Sequence, residues 1–275
     1  MRLRRTPCNR RDAVALTRFF SLPLLLGLLL ATAPAYADDM AAQRAQYALT
    51  LSSARGDITA ASGTMAYEVQ DACDGWATRQ RLDMTITNRD GQDVEMVSDY
   101  ATWESKDGLK MRFRMRQTTE AAVTSELAGE ATLQPNGGPG VVKYSLPEGQ
   151  TKELPKGTLF PTAHTATIIA AAEAGKKFIA LPLFDGTGAD GAQDSSVAIT
   201  SWSKPAPNKW PDLSKLPSST VHVAFFDRTP ASQEPTYEVG MRYWSNGVAD
   251  DLSMDFGSFV MAGKMTQLQL LPSHC

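Results

Sequence analysis

From residue 109 to residue 116 apolar and charged side chains alternate without a break. Leu109, Met111, Phe113 and Met115 fall on one side, and Lys110, Arg112, Arg114 and Arg116 on the other. A period of two marks a strand with one buried face, because successive Cβ atoms of an extended chain point in opposite directions. Residues 82–87, 220–225 and 237–243 repeat the pattern. Further candidate strands run through 46–53, 62–70, 93–104, 122–133, 141–146, 177–184, 195–202, 248–256 and 258–270. Between them lie turn formers: Asn88-Arg89-Asp90-Gly91, Lys106-Asp107-Gly108, Ser245-Asn246-Gly247 and the longer break Asn136-Gly137-Gly138-Pro139-Gly140. Short connections between consecutive strands predict a sequential antiparallel meander, a barrel or strongly curved sheet of about a dozen or more strands.

One stretch breaks the alternation. Residues 161–175 are rich in alanine and predict a helix that starts at Pro161 or Thr162 and ends with Gly175 in the left-handed C′ position. Ala163, Ile168, Ala171 and Ala172 supply its apolar side, and Lys176 and Lys177 follow where the negative helix end favours cations. Such a helix could plug or cover one end of a barrel. The proline-rich run from Lys204 to Pro211 predicts a surface loop, and no repeat of fixed period or domain linker is visible.

The beginning of the chain follows other rules. Arg2, Arg4, Arg5, Arg10, Arg11 and Arg18 precede and flank an apolar run from Phe19 to Leu30, too short to span a bilayer, and Ala35-Tyr36-Ala37 presents small residues where signal peptidase reads. The expectation is a signal peptide over 1–37, cleaved between Ala37 and Asp38, and a single periplasmic domain over 38–275. The leader holds six arginines and one aspartate, so the chain's formal −3 becomes −8 once it is removed. An acidic chain argues against binding nucleic acid or anionic lipid through bulk charge. No later segment has the length and apolarity of a transmembrane helix. Cys8 leaves with the leader and two cysteines remain, Cys73 and Cys275. An even count in an exported chain favours one intramolecular bridge, which would pin the C-terminus to the early part of the domain; two free thiols or an intermolecular bridge are the alternatives. Alternating strands also suit an outer-membrane barrel. The interrupting helix, the cysteine pair and the absence of aromatic girdles weigh against that reading.

Candidate chemistry is sparse. His164, His222 and His274 are far apart and lack neighbours at metal-ligand spacing. The loop from Asp185 to Asp194 is acidic and glycine-rich but misses the EF-hand spacing, which favours a plain turn. There is no Gly-x-Ser-x-Gly elbow, Walker loop or dinucleotide fingerprint. The expectation is therefore a protein without enzymatic activity, cofactor or metal. Lys110, Arg112, Arg114 and Arg116 stand out in an acidic chain. They form either a solvated strand face balanced by cross-strand carboxylates or a strip for an anionic headgroup or glycan. Met84, Met111, Met115, Met241, Met254, Met261 and Met265 fall mostly on apolar strand faces. They serve either as ordinary core or as the lining of an adaptable apolar cavity.

The run Gly63-Thr64-Met65-Ala66-Tyr67-Glu68-Val69, then Cys73-Asp74-Gly75-Trp76 and the strand to Thr87, resembles the EipB-like cell-envelope integrity family. So do Leu181-Pro182-Leu183-Phe184-Asp185-Gly186, Tyr243-Trp244-Ser245-Asn246-Gly247-Val248 and the terminal Cys275. The resemblance covers essentially the whole mature chain. It implies a periplasmic protein of Gram-negative cells, mainly β, with a long antiparallel meander rolled into an open barrel or β-spiral and locked by a disulfide matching Cys73–Cys275. It also implies a non-enzymatic role in envelope integrity. Two modes of action follow. A scaffold engaging envelope proteins predicts a well-packed interior and an exposed patch. A carrier of a lipid or other hydrophobic ligand predicts a large apolar cavity.

Overall fold

A computed structural model describes residues 40–228, 234–272 and 275. The predicted signal peptide, its Ala37–Asp38 junction and His274 lie outside the described residues. The alternation read from the sequence becomes fourteen strands: β1 (Gln43–Ala54), β2 (Ile58–Asp71), β3 (Gly75–Asn88), β4 (Asp93–Ser105), β5 (Lys110–Thr119), β6 (Ala122–Leu133), β7 (Gly140–Leu146), β8 (Thr151–Leu154), β9 (Phe178–Leu183), β10 (Gln193–Ser203), β11 (Ser218–Phe226), β12 (Tyr237–Trp244), β13 (Ala249–Asp255) and β14 (Phe259–Leu270). In β5, Met111, Phe113 and Met115 are buried and Lys110, Arg112, Arg114 and Arg116 exposed, as the period of two requires. β8 has four residues and carries no readable periodicity, so it escapes the sequence pattern.

All fourteen strands share one antiparallel sheet, in the order β8-β7-β6-β5-β4-β3-β2-β1-β14-β13-β12-β11-β10-β9. The chain therefore starts in the middle, runs out strand by strand to one edge, crosses to the other edge, and returns until β14 pairs with β1. The crossing is made by helix α1 (Pro161–Glu173). The two edges approach each other just beyond β8, where the Leu159 N–H donates to Pro182 O (2.9 Å) and the Phe184 N–H donates to Leu159 O (3.0 Å). The result is a rolled, barrel-like sheet whose inner face is apolar. Its outer face carries charges such as Arg79, Arg81, Asp99 and Arg114, the reverse of a lipid-facing wall.

The helix ends as its sequence predicts. Gly175 takes φ +73°, and the N–H groups of Gly175 and Lys176 donate to Ala172 O and Ala171 O, a Schellman closure that satisfies the last carbonyls. Ala163, Ile168, Ala171 and Ala172 are buried, the last three in the core with β1–β3 and β10–β14. A second core lies between β5–β8 and the loop after β9. There Phe113, Tyr144, Phe184 and Phe160 pack edge to face, with ring centroids 5.3 to 6.5 Å apart. The 185–194 loop differs from the plain turn its composition suggests. Tyr144 OH donates to Gly188 O (2.9 Å), Gln150 Nε2 to Ala189 O (3.1 Å), and Gly186 approaches the Phe113 ring so closely that a Cβ there would sit 2.5 Å from it. This loop holds the rolled edge in place. The proline-rich stretch ends in a single 3-10 turn, Pro211–Leu213, that buries Leu213.

Cys73 and Cys275 form an intramolecular disulfide, with S–S 2.03 Å and Cα–Cα 5.4 Å. Cys73 lies in the β2–β3 turn, Cys275 lies beyond β14, and β1 runs between β2 and β14, so the bond staples a three-strand span at the seam where β1 pairs with β14.

Candidate functional site

The rolled sheet encloses a cavity of about 460 Å³ between β1–β5, β11–β13 and α1. That volume falls in the range of small-molecule sites, roughly 300–1,000 Å³. The strand period supplies the lining: Tyr47, Tyr67 and Tyr100 come from β1, β2 and β4, and Tyr237 and Tyr243 from β12. Burial raises the hydroxyl pKa of all five, so these rings stay neutral. Several hydroxyls are tied away. Tyr47 OH donates to Ala249 O (2.7 Å) and Tyr100 OH to Asp185 O. Met65, Met115, Met241 and Met254 add flexible apolar surface. All seven methionines read from the strand faces are buried in the cores, and Met115, Met241 and Met254 also line the cavity.

A polar arc crosses this lining, made of Thr78, Gln80, Ser98, Thr102 and Gln117. Thr102 Oγ1 and Gln43 Oε1 are buried and find no hydrogen-bond partner among the described residues. Buried polar atoms are ordinarily satisfied, so these two, from β4 and β1, are unmet polar groups bordering the cavity. Helix α1 forms another wall through Pro161, Thr162, His164, Thr165 and Ile168 rather than standing only at a barrel end.

Glu104, missed by the sequence reading, holds that wall. Phe160, the N-cap residue, contributes no side-chain cap. The Glu104 carboxylate replaces it, accepting from the Thr162 N–H (2.9 and 3.1 Å) and from Thr162 Oγ1 (2.9 Å). Glu104 is 2% exposed. Burial pushes its pKa up to about 7 against the opposing pull of the Thr162 hydrogen bonds.

The fold also joins a histidine and a serine that sequence spacing keeps apart. His164 Nε2 lies 2.8 Å from Ser195 Oγ, and Ser195 Oγ donates to Leu181 O (2.9 Å). With its own hydrogen directed at the Leu181 carbonyl, Ser195 accepts from the histidine, and the pair links α1 to β9 and β10. Burial lowers the His164 pKa to about 4. His222 is exposed and pairs with Glu238. Asp185 accepts from the Thr187 N–H and hydroxyl. Among the described residues no three His, Cys, Asp or Glu side chains gather as metal ligands, and no helix is long and apolar enough to cross a membrane.

A solved structure is similar to this one, that of a β-barrel-like protein of a domain of unknown function, DUF1849, from Brucella abortus. Its TM-score is 0.76 at 31% identity, covering 85% of this chain and 99% of that one. The EipB-like family model matches residues 34–272. This chain belongs to the EipB-like family. Among curated proteins it is 32% identical to the cell envelope integrity protein EipB of Brucella abortus (strain 2308) over 249 residues, covering 87% of this chain and 88% of the relative. The resemblance read from the sequence motifs and the rolled, disulfide-locked fold expected from it are both found. The EipB-like motif residues sit at structural joints: Gly63 and Gly75 where strands approach closely, Phe184 and Gly186 in the second core, and Cys73 and Cys275 at the seam.

The basic strip of β5 lies on the outer face, away from the cavity. Arg112 stacks over Trp103 (4.5 Å) and Arg114 pairs with Glu126 (2.7 Å). Strand register sets Arg114 and Arg116 beside arginines of β3 across Ala101 and Asp99, a grouping invisible in the linear sequence.

Proposed function

We infer that this chain is an exported, periplasmic protein that supports cell-envelope integrity without catalysing a reaction, by holding an envelope component with an apolar body and a polar end inside the rolled sheet. The signal-like residues 1–37 and the relative's name support the compartment and the role. The observation that carries the molecular action is the cavity of about 460 Å³, walled by tyrosine and methionine and carrying the unpartnered Thr102 Oγ1 and Gln43 Oε1. A packed scaffold would fill that space. A carrier needs it, and the adaptable methionines suit an acyl chain or other flexible apolar group.

The test is native mass spectrometry of protein purified gently from periplasm, with Met254→Trp as a cavity-filling variant and intact mass under denaturing conditions as control. The expected result is wild-type protein carrying an amphiphilic adduct released on unfolding, and a folded variant without it. Ligand-free wild type that also fails to take up a fluorescent fatty acid would sink the carrier reading, and crosslinking for protein partners would follow.

A further inference from the structure

The outer face of β1–β5 holds a second depression, about 420 Å³, lined by five arginines and two carboxylates: Arg44, Arg79, Arg81, Arg114 and Arg116 against Glu68 and Asp99. Cross-strand register explains its shape. Ala101 on β4 stands directly between Arg79 on β3 and Arg114 on β5, and the next outward residue of β4, Asp99, stands between Arg81 and Arg116. Arginines on strands either side of β4 have backbones about 10 Å apart. The small side chain of Ala101, joined by Ala66 opposite Arg81, leaves a pit ringed by guanidinium groups.

Ion pairing in the ring is incomplete. Arg44 is taken by Glu68 (3.0 Å), Arg81 by Asp99 (2.8 Å) and Arg114 by Glu126 (2.7 Å). Among the described residues Arg79 and Arg116 have no ion-pair partner, because the carboxylates in register with them are held by their neighbours. Arg79 and Arg116 thus border the pit from the strands on either side of β4, diagonally across Ala101 and Asp99, each without a salt bridge of its own, Arg79 feeling the Glu68 charge only at longer range. They are confined to one place on a chain that is otherwise strongly acidic once the leader is removed. Every cation of the ring is an arginine, whose planar fork binds phosphate oxygens bidentately. A dianionic phosphate carries charge for both unbridged arginines and offers acceptors to both forks, where a carboxylate offers one charge and two oxygens.

We propose that this arginine-ringed pit on the outer face of β2–β5 is a binding site for a phosphate ester, with Arg79 and Arg116 as its primary ligands and Arg81 and Arg114 as supporting donors. The pit and the cavity share Tyr67, Gln80 and Tyr100 in the wall between them, but none of the pit's arginines lines the cavity, so substitutions of Arg79 and Arg116 test the pit by itself.

The test follows the arginine Nε–Hε NMR signals of the full exported chain during titration with inorganic phosphate. The expected result is saturable movement of the Arg79 and Arg116 signals, weakened about tenfold by Arg79→Gln or Arg116→Gln, the loss of one charge-assisted contact. Both residues project from the sheet's outer face, so the melting temperature should not move. Cosedimentation with phosphatidylcholine vesicles containing phosphatidic acid, lost in the same variants, would make the natural source a lipid headgroup; phosphate saturation without cosedimentation would make it a free ester. Linear, non-saturating shifts, an unchanged response in the double variant, or equal binding of a glutamate-rich peptide would overturn the proposal.

Discussion

Glu104→Gln isolates the contribution of a buried carboxyl that holds the helix wall of the cavity. In the folded chain Glu104 is 2% exposed and titrates near 7; released from burial it returns to about 4.5. Between those values the folded state binds a proton that the unfolded state has lost, so stability falls as pH rises through the window, by roughly 3 kcal/mol in all. His164 works in the opposite sense. Its pKa is lowered from 6.5 to about 4 by burial, so the unfolded state binds the extra proton and stability rises with pH over that lower, overlapping window. The wild-type profile therefore mixes two opposing slopes, and the informative quantity is the difference between variant and wild type. Glutamine keeps an acceptor for Thr162 and cannot ionise, so its packing cost is an offset independent of pH. Urea unfolding, followed by tryptophan fluorescence with the disulfide intact at pH 5, 6, 7 and 8, should show Glu104→Gln gaining on wild type by roughly 3 kcal/mol across the series. A difference constant with pH would refute the reasoning, because it would mean the carboxylate is charged, and stabilised by its Thr162 bonds, throughout.

Two further perturbations test the scaffold around the sites. Cys73→Ser opens a covalent loop of 202 residues, for which the chain-entropy model gives roughly 5 kcal/mol as a ceiling, so thermal denaturation should show a clear fall in melting temperature without loss of export; equal melting temperatures would deny the bridge a structural role. Phe184→Ala removes the fully buried ring that packs against Phe113, Tyr144 and Phe160, and should cost about 3–5 kcal/mol in urea unfolding and raise amide exchange in the 185–194 loop; unchanged exchange would mean the aromatic cluster does not anchor that loop.

Much of the architecture was legible because it is local. Alternation at 109–116 depends only on the pleat, and the helix at 161–173 on alanine content, Pro161 and Gly175. β8 was not legible, since four residues set no period. Cysteine counting favoured Cys73–Cys275 once the leader was set aside, yet pairing of β1 with β14 cannot be read from either segment alone, because nothing in a strand's own residues names a partner more than two hundred positions away. The sites divide in the same way. The basic face of β5 is written in its alternation, but which arginines stay without a salt bridge depends on the register that hands Asp99 to Arg81 and Glu126 to Arg114. Glu104 reads as one more glutamate in a strand until the roll of the sheet turns it inward beneath the N-terminus of α1. The sequence by itself determined the strand-rich class, the helix at 161–173 and the cysteine pair, because each is set by composition or by neighbours along the chain. Tertiary structure alone decided the cavity, the buried cap and the arginine-ringed pit, because each exists only where side chains from distant strands are brought face to face.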